Sequence, residues 1–407
     1  MESTRYPVIR LKKGRESSAA YGHPWIFSGA IAAKPDGLAH GSFVHAANAD
    51  GEIIGTGSYS SSGAIAIRLF DAASVAIDKS WFVDRIHEAD TRRRLLGLGP
   101  DTPTTAYRVL HGEADGAPGL VVDRYADTVV FQIATAALDS LRHDIVAALG
   151  EALAPRAIVE RSDSSSRREE GLAEVNAVHA GEVTSPVEFT ENGVALLADI
   201  LSGQKTGFFL DQRELRARLR ALAKGRRALN LFSYTGAASL FALLGGAPAA
   251  HNVDASQPAL DMALEMAGRH GFSERVTQER ADVFQWVSQR READYDMVIM
   301  DPPSIIKSRK DAENGARAYH FLNRAALRLV RDGGIFATSS CSQLLPEDEF
   351  AALLRRAATQ SNTRLYTLAA LRQPPDHPLS PYFPEGAYLK SYVFEVRRKP
   401  GAAPSTE

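Results

Sequence analysis

The sequence runs to 407 residues with 47 Lys and Arg against 49 Asp and Glu, a formal net charge of −2, and one cysteine. That length exceeds what one ordinary core supports and predicts two or three domains. Near-neutral charge does not imply whole-molecule attraction to nucleic acid and leaves any such binding to local patches, a lone cysteine excludes a disulfide within the chain and fits a reducing cytoplasm, and no apolar run approaches membrane-spanning length.

The start, "MESTRYPVIRLKKGRE", has no apolar signal core. Residues 1–75 carry short alternating runs, "GSFVHAA", "EIIGTGSYS" and "AIAIRLF", divided by Gly, Asn, Asp and Ser, which predicts a small antiparallel β domain. At "DKSWFVDRIHEADTRRRLLG" the period turns helical, with Trp81, Ile86, Ala89 and Leu95 expected inward and the arginines outward. "GLVVDRYADTVVFQIAT" reads as two strands, "LDSLRHDIVAALGEAL" as a helix, and "AIVERSD" with "VTSPVEFTENGVALLADI" completes a central α+β domain over 76–190.

Over 191–400 strand and helix alternate regularly, which argues for a parallel sheet covered on both faces. Helices are expected at "DQRELRARLRALA", "AASLFALLGG", "PALDMALEMAGRH", "FQWVSQR" and "RAYHFLNRAALRLV". Strands are expected at "RALNLF", "AAHNVD", "VTQERAD", "YDMVIMD" and "GGIFATSSC", with a final hairpin in "PEGAYLKSYVFEVRR" and a disordered tail "KPGAAPSTE".

Ligands of such sheets bind at the carboxyl ends of the strands, near the switch in strand order. Strand "ALNLF" runs into "SYTGAAS", a tight turn with the single glycine Gly236. A dinucleotide site calls for G-x-G-x-x-G, which is missing, so the ligand has no phosphates there. Asp254 ends the next strand, where a carboxylate accepts from ribose hydroxyls, and Asp282 ends the third, beside an adenine. A nucleoside without phosphate in this topology suggests S-adenosylmethionine, although each aspartate alone reads equally well as a helix cap. "MVIM" is an apolar strand ending on Asp301 and two prolines, which fix φ and stiffen the loop. A rigid strand exit without chemistry is the alternative.

Taken together, "LFSYTG", "NVDAS", "MDPPS", "SSCS", "GQKTGFFLDQRE" and "DHPLSPYFPEGAYLKS" resemble the bacterial 23S ribosomal RNA 5-methylcytosine methyltransferases. "GRESSAAYGHPWIFSGAI" resembles the start of that family's PUA domain and "HGEADGAPGLVVDRYAD" the start of its central domain, so the resemblance spans nearly the whole chain. It implies an α/β fold: a Rossmann-type methyltransferase domain, an N-terminal β-rich PUA domain and a small central α+β domain. It also implies that Phe232, Ser233, Tyr234, Gly236, Asp254 and Asp282, with Asp301 beside them, line an S-adenosylmethionine site. The expected partner is 23S ribosomal RNA in the cytoplasm, with no membrane and no metal; the oligomeric state is open, a homodimer being one reading.

Cys341, in "ATSSCSQLLPEDEF", is then the residue of interest. A lone cysteine is ordinarily a small apolar filler. However, carbon 5 of a pyrimidine is a poor nucleophile, and adding a thiolate to carbon 6 makes it one. Asp301 is the candidate to hold the base edge at nitrogen 3. Ser304 stands directly after the two prolines, where many RNA 5-methylcytosine enzymes have a second cysteine. The base that takes the carbon 5 proton is not named by the sequence.

For RNA contact, Lys12, Lys13 and Arg15 interleave with Tyr21, Trp25 and Phe27, pairing cations with stacking surfaces. Trp25 and Phe27 have a second reading as core, favoured for Phe27. Lys205 and Phe208 precede the first methyltransferase helix and are expected to border its crevice. Two rival functions remain: a guanine-directed RNA methyltransferase, which calls for an aromatic residue at the place of Ser304 and has no need of Cys341, and a non-catalytic RNA-binding assembly factor. The helix "MALEMAGRHGF" lacks the asparagines common in relatives, so adenosine contacts there are expected to differ.

Overall fold

A computed structural model describes residues 6–399, and the tail beyond Lys399 lies outside the described residues. The chain divides into two compact units, Met1–Leu210 with Pro375–Gly386, and Asp211–Pro374 with Ala387–Glu407.

The first unit opens with β1 (Val8–Leu11), α1 (Ser17–Ala20), β2 (Trp25–Phe27), β3 (Ile31–Ala33), β4 (Phe43–Ala47), β5 (Ile53–Tyr59) and β6 (Ile65–Asp71). They form one six-stranded sheet in the order β2-β6-β5-β4-β1-β3. The sheet is not wholly antiparallel as expected, because β1 runs parallel to β4. α2 (Lys79–Leu95) and α4 (Arg142–Leu153), with α3 (Ala136–Ser140) and α5 (Ser165–Glu169), accompany β7 (Ala106–His111), β8 (Leu120–Tyr125), β9 (Thr128–Ile133), β10 (Ala157–Ser162) and β11 (Val175–Ala180). These strands make a five-stranded sheet in the order β11-β10-β9-β8-β7, and β12 (Val187–Glu191) pairs with β13 (Val194–Ala198) as a separate hairpin.

The inner face of α2 differs from the sequence expectation. Leu95 is 83% exposed, whereas Arg93 is 2% exposed and Phe82, Ile86 and Ala89 are buried. The helix tolerates a buried guanidinium because its charge is met on the spot. Arg93 donates to both oxygens of Asp115 at 2.8 and 2.6 Å and to the carbonyl of Asp376 at 2.8 Å. Asp115 also accepts from the His111 amide at 2.8 Å. The Asp376 carboxylate accepts from the Arg108 amide at 3.0 Å, so the returning segment is bonded into this network from both its side chain and its backbone.

The second unit is built on β14 (Ala228–Leu231), β15 (Ala250–Asp254), β16 (Val276–Arg280), β17 (Tyr295–Met300), β18 (Val330–Ser340), β19 (Thr363–Leu371) and β20 (Lys390–Arg398). Its helices are α6 (Arg213–Leu222), α7 (Ala237–Leu244), α8 (Gln257–Arg269), α9 (Val283–Ser288), α10 (Ala312–Arg328) and α11 (Glu347–Gln360). Strand order is β16-β15-β14-β17-β18-β20-β19, parallel through β18. The expected final hairpin is instead one long strand, β20, inserted antiparallel between β18 and β19. Alternation along the strands feeds two cores. Leu229, Leu231, Val298, Met300 and Phe336 pack with Tyr319, Leu322 and Phe350. Ala228, Met297, Ile299, Ile335 and Ala337 pack with Leu215, Leu219, Ala242 and Leu243. Among the described residues, no helix is long and apolar enough to cross a membrane.

Removing one partner of a buried ion pair strands the other charge, at a cost of about 3–5 kcal/mol. Asp115→Ala is therefore expected to lower the urea-unfolding stability by about that amount, and a loss below about 1 kcal/mol would show that Arg93 finds its stabilisation elsewhere.

Candidate active site

Strand order reverses between β14 and β17, so the crevice lies at the carboxyl ends of these two strands. The chain leaves β14 through a turn of unusual backbone. Phe232 and Tyr234 both hold positive φ, at 58° and 47°, and Gly236 follows at 71°. A Cβ on Gly236 would stand 2.7 Å from the Cβ of Ala263 in α8, so the glycine permits both the left-handed turn and the close approach of that helix.

The turn is held from the neighbouring strand. The Tyr234 and Ser256 amides donate to the two oxygens of Asp254, each at 2.8 Å, and the Ser233 amide donates to Val253 O at 3.1 Å. Asp254 is thus a brace between the first two strand ends, while the cap of α8 is Ser256. Asp282 does cap a helix: its Oδ1 accepts from the Gln285 amide at 2.9 Å at the start of α9. Phe232 packs edge-on to Phe284, with ring centroids 6.2 Å apart.

Two hydroxyls in this turn, Ser233 Oγ and Thr235 Oγ1, are buried with no hydrogen-bond partner among the described residues. Buried hydroxyls are normally satisfied. A pair of them beside a carboxylate brace at the switch point fits a ligand with polar groups of its own, such as the amino acid and ribose parts of S-adenosylmethionine.

On the other side of the switch, Asp301 follows β17 and accepts from Gln212 Nε2 at 2.8 Å. Gln212 stands just before α6, in the "GQKTGFFLDQRE" stretch from which the sequence reading took Lys205 and Phe208 instead. Met300 of β17 lies opposite Thr338 of β18, so Asp301 and Cys341 leave adjacent parallel strands at the same edge, one and three residues beyond that pair. Cys341 is half-buried and belongs to no disulfide.

Its flanks are fixed by Ser342, which is fully buried. Ser342 Oγ accepts from the Ile306 amide at 3.2 Å, lies 3.2 Å from Ser304 Oγ and shares a 2.9 Å bond with the Tyr319 hydroxyl. The loop after the two prolines is therefore bonded to the residue after the cysteine. Lys390, the Cα partner of Ser340 across the β18–β20 pairing, donates to Ser342 O at 2.7 Å and Leu345 O at 2.8 Å. Burial pushes its pKa down to about 8, with the Cys341 and Glu347 charges opposing that shift. Burial also raises the Tyr319 pKa, and Cys341 adds to the rise.

The remaining expected residues lie in the first unit. Lys12 and Arg15 are exposed, with Lys12 Nζ bonded to Gly29 O at 3.0 Å. Trp25 is engaged: its indole N–H donates to Glu113 at 3.0 Å and its ring meets Phe383 edge-on at 4.7 Å. Phe27, expected in the core, is instead 46% exposed, because the β2 register turns it to the outer face. Lys205 is exposed with Nζ 4.3 Å from the Phe209 ring centroid. Phe208 is 2% exposed and packs on Phe189 at 5.0 Å, so its ring belongs to the core and offers no open face to a base. Gln212 and Lys390 are the site residues sequence reasoning missed, although both sit inside stretches quoted for the resemblance.

Comparison with known proteins identifies the family. The family described as S-adenosylmethionine-dependent methyltransferase matches residues 165–395, and a PUA-like domain matches residues 9–72. Ribosomal RNA large subunit methyltransferase I of Alteromonas mediterranea is 37% identical over 392 residues, covering 95% of this chain and 98% of its own. The protein of the same name from Aeromonas hydrophila is 39% identical over 396 residues, covering 96% and 99%. The solved structure of SMU.776 in complex with SAH superposes with a TM-score of 0.82 at 23% identity, over 95% of this chain and 99% of that one, a likeness of fold. At this identity and coverage the chain belongs to the ribosomal RNA large subunit methyltransferase I family, methyltransferases that use S-adenosylmethionine.

Proposed function

We propose that this protein methylates carbon 5 of a cytosine in 23S ribosomal RNA through a transient bond between Cys341 Sγ and carbon 6. The observation that carries the reading is the position of the sole thiol: half-buried, one step past the end of β18, beside the strand that ends in Asp301. The names of its relatives support large-subunit ribosomal RNA as the substrate.

S-adenosylmethionine supplies an electrophilic methyl group, held by the turn 232–236, Asp254 and Asp282. The chain's own residues prepare the acceptor. Cys341 thiolate adds to carbon 6, and the electron pair of the 5,6 double bond moves to carbon 5, which becomes nucleophilic. Once carbon 5 carries its methyl, loss of its proton restores the double bond and returns the pair to sulfur as thiolate. Asp301, steadied by Gln212, takes the edge of the base at nitrogen 3. With Ser304 bonded to Ser342 and no other cysteine in the chain, release of the adduct proceeds without a second thiol.

A cytosine in folded RNA must first leave its stack, at a cost of roughly a few kcal/mol. Domain 1–75 offsets that cost by holding flanking RNA, using exposed Lys12 and Arg15 for phosphates. Phe27 takes the stacking role there in place of Trp25, whose indole is committed to Glu113. Lys205 is a further exposed cation for the backbone.

Cys341→Ala is expected to abolish methylation of cytosine in 23S RNA, mapped by mass spectrometry, while SAH binding persists. RNA carrying 5-fluorocytosine, which has no proton to lose, should trap wild type as a denaturant-stable adduct. Methyl label on cytosine with the alanine variant would refute the nucleophile, and label on guanine would favour the rival activity. Asp254→Ala removes the acceptor for the Tyr234 amide of the turn and for the Ser256 amide, a charged acceptor worth about 1.5–3 kcal/mol. SAH affinity by calorimetry should fall roughly tenfold to a hundredfold, and an unchanged affinity would remove Asp254 from the cofactor site.

A further inference from the structure

Lys390 is a cation buried in the wall of this site, 7% exposed, and the reaction written above does not use it. Resting on the reading of Cys341 as the nucleophile, we propose that Lys390 is its positioning residue: the ε-amino group takes the thiol proton and, as ammonium, holds the sulfur as thiolate. The bond broken is S–H, the bond formed is N–H, and the electron pair stays on sulfur.

Three observations carry this. The pairing of Ser340 with Lys390 brings the lysine to the last residue of β18, immediately before Cys341. Its two bonds go to Ser342 O and Leu345 O, the backbone on the other side of the cysteine, so the amino group spans the turn that presents the thiol. Finally, the two groups act on each other electrostatically. Cys341 and Glu347 are the charges that favour the ammonium against burial.

The surrounding charges are consistent with this direction. Glu347, at the start of α11, is engaged by Arg372 and by the Tyr392 hydroxyl at 3.2 Å. Tyr319, from α10, is held neutral by burial and by Cys341. Lys390 is thus a cation bonded across the turn that carries the thiol and acting on it electrostatically, with Tyr319 on the α10 side uncharged and the Glu347 carboxylate shared with Arg372. A pKa near 8 leaves the lysine close to an ordinary thiol's pKa of about 8.5, so one proton passes between the two groups at small cost.

Because Cys341 is the only thiol in the chain, its alkylation by iodoacetamide reads this group alone, without RNA or methyl donor. The wild-type rate against pH should have a midpoint below about 8.5. Lys390→Met should raise the midpoint by about one unit, slowing alkylation at pH 7 by about three- to tenfold, whereas Lys390→Arg, which keeps the charge, should hold it low. Equal midpoints in wild type and folded Lys390→Met would overturn the proposal. Should the methionine variant fail to fold, wild type alone decides: a midpoint in the folded protein at or above that in urea is equally fatal. Cysteine-dependent methylation with unshifted alkylation would sink Lys390 and spare the nucleophile. Cytosine methylation without Cys341 would sink the nucleophile whatever the alkylation profile.

Discussion

The parallel register of β17 against β18, with Met300 opposite Thr338, is the constraint on which the site depends. Neighbouring strands stand about 4.8 Å apart, so two chains that leave such a pair at the same edge cannot separate widely. Asp301 and Cys341 are 40 residues apart in the sequence and inherit their proximity from this ladder. The same edge receives the turn after β14 and Asp254 after β15, each one strand further along. A one-residue slip of β18 would turn its apolar set away from Tyr319 and Phe350, so core packing and site geometry are protected by one register.

The ladder brings the strand ends together, and buried polar bonds then set the loops beyond them. Ser342 joins the Ser304–Ile306 loop, α10 through Tyr319, and the turn after β18. Lys390 enters from β20, a strand that the chain forms only after leaving for the 375–386 segment and returning. Asp254 performs the equivalent task for the turn after β14. In each case one polar side chain, buried at Ser342 and Lys390 and half-buried at Asp254, makes at least two bonds and so ties neighbouring backbone segments together.

Much of this was legible in the sequence because the governing signals are local. Alternating strands and helices, apolar "MVIM", and the lone glycine of "SYTGAAS" have physical meanings that tertiary context rarely overturns. What was not legible depends on partners far along the chain. Arg93 reads as a surface arginine until Asp115 and Asp376 are placed beside it, and Leu95 then loses its place in the core. Strand β20 reads as half of a hairpin because its neighbours, β18 and β19, are set by sheet order and not by adjacency. Trp25 and Phe27 share the face opposite Ile26, and what separates them is Glu113 and Phe383, which engage Trp25 from far along the chain. Lys390 had no signal of its own: a lysine beginning "KSYVFEVRR" looks like the polar edge of a strand, and its burial follows from the carbonyls of Ser342 and Leu345.

The two bonds of Lys390 separate its structural work from its electrical work. A neutral amine retains two N–H donors, as many as the carbonyls it serves. The turn that presents Cys341 can therefore stay anchored when the lysine gives up its proton, while the positive field on the sulfur disappears. An arginine would never relinquish its charge, and a methionine would hold neither the turn nor the field. Burial at this position disfavours the ammonium, and negative charge on Cys341 and Glu347 favours it, so in the proposed pair each charge supports the other. A cysteine whose thiolate is coupled in this way is reactive toward an electrophilic ring carbon, yet is returned to the same state when the adduct breaks. That is the property a covalent catalyst with one thiol requires.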